Sequence, residues 1–164
     1  MDIRYVQSKK ILTPQKRGFL TEGEYPFTHT LSWAVGCGFG AIYCGKYCYA
    51  QKLPNWYYSR QDGENWGDAL VIKENAPELL AKQLNNARKR SSMRIFMSSV
   101  TDPYQPIERK IRMTRRCLTV FAQYDDLDLL VIQTRGASVV DDLDLIASIP
   151  YAWLSMTIET DRYD

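Results

Sequence analysis

From residue 28 onward the apolar positions fall into blocks whose spacing alternates between the period of a strand and that of a helix. The stretch "FTHTLSWAVG" is rich in β-branched and aromatic residues and stops at Gly36, which predicts a first strand. In "NAPELLAKQLNNARKR", Leu79, Leu80, Leu84 and Ala87 form one apolar face. Asn75 and Pro77 suit the start of that helix, Glu78 its first turn and Arg88 to Arg90 its last. "MRIFMSSV" predicts a second strand. "PIERKIRMTRRCLTVFAQY" predicts one helix, with Ile107, Ile111, Thr114, Leu118 and Phe121 at three- and four-residue steps. "LDLLVIQTR" is a near-continuous apolar run, as expected of a strand buried on both faces. "DDLDLIASI" predicts a short helix and "YAWLSMTIET" a fourth strand.

Strand, helix, strand, helix, strand, helix, strand is the order of an α/β fold with a parallel sheet and right-handed crossovers. Residues 1–27, polar and broken by Pro14, Gly18, Gly23 and Pro26, read as an N-terminal leader with little regular structure, and residues 28–164 as the core. Residues 51–74 read as a long connection broken by Pro54, Gly63 and Gly67. In parallel α/β sheets, ligands sit beyond the carboxyl ends of the strands. Those ends carry "CGFGAIYCGKYCYA", "SSVTDPYQPIE", "TRGASVV" and "IETD", all polar or chemically equipped. A last apolar strand with no helix after it leaves an edge or an uncovered face, so a C-terminally incomplete core is expected.

Composition narrows the picture modestly. The chain has 164 residues, enough for one sizeable core, and a net charge of +2, too small to argue for nucleic acid or an anionic membrane. Local basic excess lies in Lys82 through Arg94 and Arg109 through Arg116, most simply read as solvated helix faces and otherwise as a phosphate-facing surface. No apolar run reaches the length of a membrane span, and "MDIRYVQSKKIL" is too polar for a secretory signal. The expected location is therefore cytoplasmic, where disulfides are rare and clustered cysteines more often hold metal.

Three of the four cysteines stand close together, in the pattern C-x6-C-x3-C at Cys37, Cys44 and Cys48. Glycines at 36, 38, 40 and 45 permit the backbone angles of a loop wrapped around a cluster. Three thiolates can hold three corners of a cubane and leave one iron open. By spacing alone the same residues suit a zinc clip completed by His29 or Cys117, or a chance grouping of buried thiols.

A cysteine cluster ending "YCYA" after the first strand of a parallel α/β protein resembles the radical S-adenosylmethionine superfamily. Within it, the chain resembles the spore photoproduct lyase-like branch, also called DNA repair photolyase-like. "YPFTHTLSWAVGCGFG", "YCGKYCYAQ", "TDPYQPIERKIRMTRRCL", "IQTRGASVVDDLDLI" and "WLSMTIETD" carry the likeness. The cluster spacing departs from the common C-x3-C-x2-C; a frame from Cys37 would put Ala41 in second place, and one from Cys44 would put Gln51 in third.

The resemblance implies a partial (β/α) barrel of the radical S-adenosylmethionine type, with about four strand–helix units. It implies a [4Fe–4S] cluster on Cys37, Cys44 and Cys48, with S-adenosylmethionine chelated to the open iron. Reductive cleavage of that cofactor would give a 5′-deoxyadenosyl radical, with electrons from a donor such as flavodoxin or ferredoxin. By the same likeness, Tyr47 or Tyr49 stands beside adenine, and Ser98 and Ser99 where relatives hold the methionine amine. Thr134 and Arg135 end the third strand, where an arginine fork suits the cofactor carboxylate. Ser155, Thr157 and Glu159 alternate on the fourth strand, at the ribose-contacting position. Asp102 and Glu108 read as helix caps. Spore photoproduct lyases return hydrogen from a cysteine in a C-T-S-D-like stretch; here "SVTD" puts Ser99 in that place, and an alcohol is a poor hydrogen-atom donor. The substrate is thus unassigned, with nucleic acid one option.

Overall fold

Along one strand, residues 129–134, side chains alternate strictly between half-buried and buried, and that alternation organises the fold. The structure is a computed structural model that describes residues 1–158, without the side chains of residues 42 and 43. Its strands and helices, in chain order, are β1 (Asp2–Val6), β2 (Leu12–Pro14), β3 (His29–Leu31), β4 (Ala34–Val35), α1 (Pro54–Ser59), β5 (Ala69–Lys73), α2 (Ala76–Asn85) and β6 (Arg94–Met97). There follow α3 (Glu108–Ile111), α4 (Met113–Phe121), β7 (Leu129–Thr134), α5 (Leu143–Ala147) and β8 (Ala152–Met156).

A five-stranded sheet runs β2-β3-β6-β7-β8. β3, β6, β7 and β8 are parallel neighbours, and β2 lies antiparallel on the β3 edge. The fold is therefore mixed α/β, with the expected strand order; the described residues form an open sheet. A second, three-stranded sheet runs β1-β5-β4.

The register explains how the two faces of the larger sheet differ. Leu31, Met97, Ile132 and Leu154 fall in line, as do Ile95, Leu130 and Ala152. Leu31, Ile95, Met97, Leu130 and Ile132 are fully or almost fully buried, in one core with Leu80 and Leu84 of α2 and Cys117, Leu118 and Phe121 of α4. Each such side chain stabilises the fold by about 1.5–3 kcal/mol. The opposite face presents Thr30, Phe96, Val131 and Trp153 in one row and Gln133 and Ser155 in the next. The reading of β7 as buried on both faces is thus corrected: one face packs on helices and the other turns to two open cavities.

Four further expectations change. Residues 1–27 hold two strands, because β1 pairs in parallel with β5 and β2 with β3. The connection 51–74 contains α1 and β5. The single helix expected over 106–124 is two, broken at Arg112, whose φ of 52° is left-handed. Glu108 lies under that break and accepts from the N–H groups of Thr114 (2.8 Å) and Arg115 (3.2 Å), capping α4 rather than its own helix. The first strand is likewise divided at Ser32 and Trp33, and the indole of Trp33 donates to Thr114 Oγ1 at 2.9 Å.

Candidate functional site

The three clustered cysteines follow directly on β4, and their loop begins with a backbone constraint. Gly36 has φ 91°, and a Cβ there would strike the carbonyl oxygen of Ala69. Beyond Cys37 the chain makes a π-helical turn over Gly40–Cys44, then the Cys48 N–H donates to the Cys44 carbonyl at 2.9 Å. Such turns are rare and gather at functional sites. The loop brings Cys37, Cys44 and Cys48 to one cavity of about 210 Å³. None of the cysteines is in a disulfide.

The same cavity is lined from the carboxyl ends of β6 and β7 by Ser98, Ser99, Thr134 and Arg135, and from beyond β8 by Thr157. Thr157 donates its N–H to the Thr134 carbonyl at 2.9 Å, which continues the sheet past β8. Tyr49 lines it too, and its hydroxyl donates to the Ser99 carbonyl. The geometry separates the two tyrosines: Tyr47 is 66% exposed and lines neither this cavity nor its neighbour. Ser155 shares the sheet face that turns to the cavities, opposite Gln133, without lining this one. Glu159 lies outside the described residues.

Sulfur chemistry here is governed by burial against local donors. The Cys37 thiol is pushed up to about 11 by burial, while the backbone N–H groups of Asp102 and Phe39 oppose that by favouring the thiolate. Burial and the neighbouring Cys48 raise Cys44, and the Arg135 guanidinium lowers it. Backbone N–H groups and a cation therefore face sulfurs that must ionise to bind metal. Among the described residues no three His, Cys, Asp or Glu groups come close enough to hold one metal ion. A single zinc would require sulfurs about 2.3 Å from the ion, hence about 3.8 Å from one another. His29 starts β3 at its far end, with Nδ1 against Thr28 Oγ1, and Cys117 is buried in the main core; neither lines the cysteine cavity. Neither His29 nor Cys117 therefore stands with the three loop cysteines.

The sequence pattern missed the residues that hold this loop. Gln105 is completely buried; its Oε1 accepts from the Gly38 N–H at 2.7 Å and its Nε2 donates to Thr101 Oγ1 at 2.9 Å. Thr101 in turn donates to the Gly36 carbonyl at 2.7 Å, so both flanks of Cys37 are tied to the loop after β6. Asp102 does more than cap. Its Oδ1 accepts from Thr134 Oγ1 (2.6 Å) and the Tyr104 N–H (2.8 Å), and its Oδ2 from the Arg135 N–H (2.9 Å). One half-buried carboxylate thereby joins the ends of β6 and β7. Burial raises it and these hydrogen bonds lower it, with burial the larger effect.

Five of the ten basic residues in the two stretches Lys82–Arg94 and Arg109–Arg116 are ion-paired. Arg112 and Arg115 meet Asp142, Arg116 meets Glu78, Arg90 meets Asp126 and Arg94 meets Asp128, all within 3.3 Å. No helix is long and apolar enough to cross a membrane among the described residues.

Against known proteins, no family model matches the chain, and no solved structure matches it. It is 30% identical over 159 residues to an uncharacterized protein of Methanocaldococcus jannaschii, covering 96% of this chain and 52% of that protein. The chain spans about half the length of this relative.

Proposed function

We propose that this chain is the core of a radical S-adenosylmethionine enzyme of the spore photoproduct lyase-like kind, a partial (β/α) barrel with Cys37, Cys44 and Cys48 as ligands to a [4Fe–4S] cluster. The observation that carries the reading is the convergence of three cysteines, none in a disulfide, on one cavity at the carboxyl ends of parallel strands. Three ligands that each hold a different iron need not meet at one point, in keeping with the lack of a single-ion group among the described residues. When bound, the cluster and S-adenosylmethionine supply a reductive carbon–sulfur cleavage that yields a 5′-deoxyadenosyl radical.

The protein's own residues bind and orient. Backbone N–H groups of Phe39 and Asp102 stabilise negative charge on the Cys37 sulfur. Gln105 and Thr101 fix the loop, and Asp102 fixes the strand ends from which Thr134 and Arg135 would hold the cofactor. Tyr49 is the tyrosine whose position suits adenine. Ser99 stands where spore photoproduct lyases have a hydrogen-donor thiol, so thymine-dimer reversal by that route lacks its donor; the substrate is unassigned, with nucleic acid one option. S-adenosylmethionine and a flavodoxin- or ferredoxin-type reductant are the partners this activity requires.

The test is anaerobic reconstitution with iron and sulfide, followed by electron paramagnetic resonance with and without S-adenosylmethionine. The wild type and Cys117→Ala should take up a cluster whose reduced signal shifts on adding the cofactor. Cys37→Ala, Cys44→Ala and Cys48→Ala should each lose it. Stoichiometric zinc with no cluster in the wild type would overturn the reading.

A further inference from the structure

Beside the cysteine cavity, and sharing Tyr49, Ser98, Ser99, Val100 and Gln133 with it, lies a larger cavity of about 720 Å³. That volume is in the range that takes a small organic molecule. Its lining holds two cations, Lys73 and Arg17, and no Asp or Glu. Phe19, Leu20, Phe96 and Leu53 supply apolar surface.

Lys73 is the informative residue. It ends β5, and its backbone N–H donates to the Trp33 carbonyl at 2.9 Å. Its Nζ donates to the Ser32 carbonyl at 2.8 Å, an acceptor left free for it where β3 breaks before β4. An ammonium carries three donors, so this bond leaves two. No carboxylate among the described residues pairs with it, and the charge that acts on it is the like charge of Lys10. Burial accordingly pushes Lys73 below the ordinary lysine range. A desolvated cation without a counter-ion costs stability unless an occupant supplies the missing charge. Two more polar groups in the lining are similarly unanswered: the hydroxyls of Ser32 and Ser98 are buried without a hydrogen-bond partner. Ser98 also holds a left-handed φ of 93°, a strained conformation of the sort that collects at ligand sites.

We infer that this cavity binds a small organic anion, its phosphate or carboxylate held by Lys73 and the Ser32 and Ser98 hydroxyls, with its apolar body against Phe96 and Leu53. That the bound anion is the substrate rests on the function proposed above; the anion site itself does not. Arg17, exposed at the rim, attracts the same charge from solution.

The test is titration of the isotope-labelled full chain, metal-free, with phenyl phosphate, phenylacetate and benzylamine, followed by amide chemical shifts. Both anions should shift Ser32, Lys73 and Ser98 and bind at least tenfold more tightly than benzylamine. The tighter of the two anions identifies the head group. Lys73→Met should weaken anion binding at least tenfold, and Lys73→Arg should largely restore it. Benzylamine binding as tightly as the anions in the wild type would overturn the proposal, as would wild-type anion affinity in a folded Lys73→Met chain. Anion binding by a chain that takes up no cluster would retain the anion site and remove the radical chemistry. A cluster-loaded chain indifferent to all three probes would do the reverse.

Discussion

Gln105 is the clearest case of one side chain fixing another's chemistry. It does not line the cysteine cavity, yet it holds the N–H of Gly38 and the hydroxyl of Thr101, which in turn grips Gly36. Replacing it with leucine removes both bonds and leaves a buried N–H unanswered, a loss of about 1–3 kcal/mol. We expect Gln105→Leu to fold with a lowered Tm and to retain less iron than the wild type after reconstitution and desalting. Gln105→Glu, which keeps the acceptor for Gly38, should retain an intermediate amount. Wild-type iron retention in the leucine variant would show that the cysteine loop holds its shape without this bridge.

At the scale of elements, β1 explains both what the chain's pattern discloses and what it hides. Ala76–Asn85 was legible because an amphipathic face is a local property, and Leu129–Thr134 was legible as a strand from its apolar run, though its two unlike faces were not. β1 and β5 were not, since each is a strand by virtue of a partner more than sixty residues away. The break at Arg112 was hidden for a related reason: the apolar spacing runs on across it, and the buried Glu108 that caps the second helix looks like an ordinary first-turn acid. The site divides in the same way. Three cysteines at close spacing announce themselves, whereas Thr101, Gln105 and Lys73 are unremarkable until folding sets them against a loop, a carbonyl or a cavity. The β1 pairing makes its own prediction. Deleting residues 1–7 uncovers one edge of β5, so amide exchange across Ala69–Lys73 should speed at least tenfold while β6 and β7 are unchanged. Equal exchange in both chains would show that β1 adds nothing to β5.

For the molecule as a whole, Glu108 couples global stability to pH. Burial is the main cause that raises its carboxyl from the ordinary 4.5 to about 7, against the hydrogen bonds from Thr114 and Arg115. The folded chain therefore holds a proton on Glu108 that the unfolded chain releases, and this contribution makes stability fall as pH rises from about 4.5 to about 7. Glu64 and Asp126, lowered by Arg4 and Arg90, contribute with the opposite sign and at lower pH. Comparing wild type with Glu108→Gln isolates the effect: in chemical denaturation the glutamine chain should gain on the wild type between pH 5 and pH 7. A constant difference across that window would refute the assignment.

The wall of Tyr49, Ser98, Ser99, Val100 and Gln133, common to the two cavities, has a consequence in time. Occupants of the two chambers would rest on the same five side chains, and any influence of one on the other's affinity is reciprocal. Under the proposed activity, the dwell time of a reactive cofactor is then set partly by whether its target has arrived. A chain built this way can stay idle while half-filled and so limit uncoupled turnover without any separate lid.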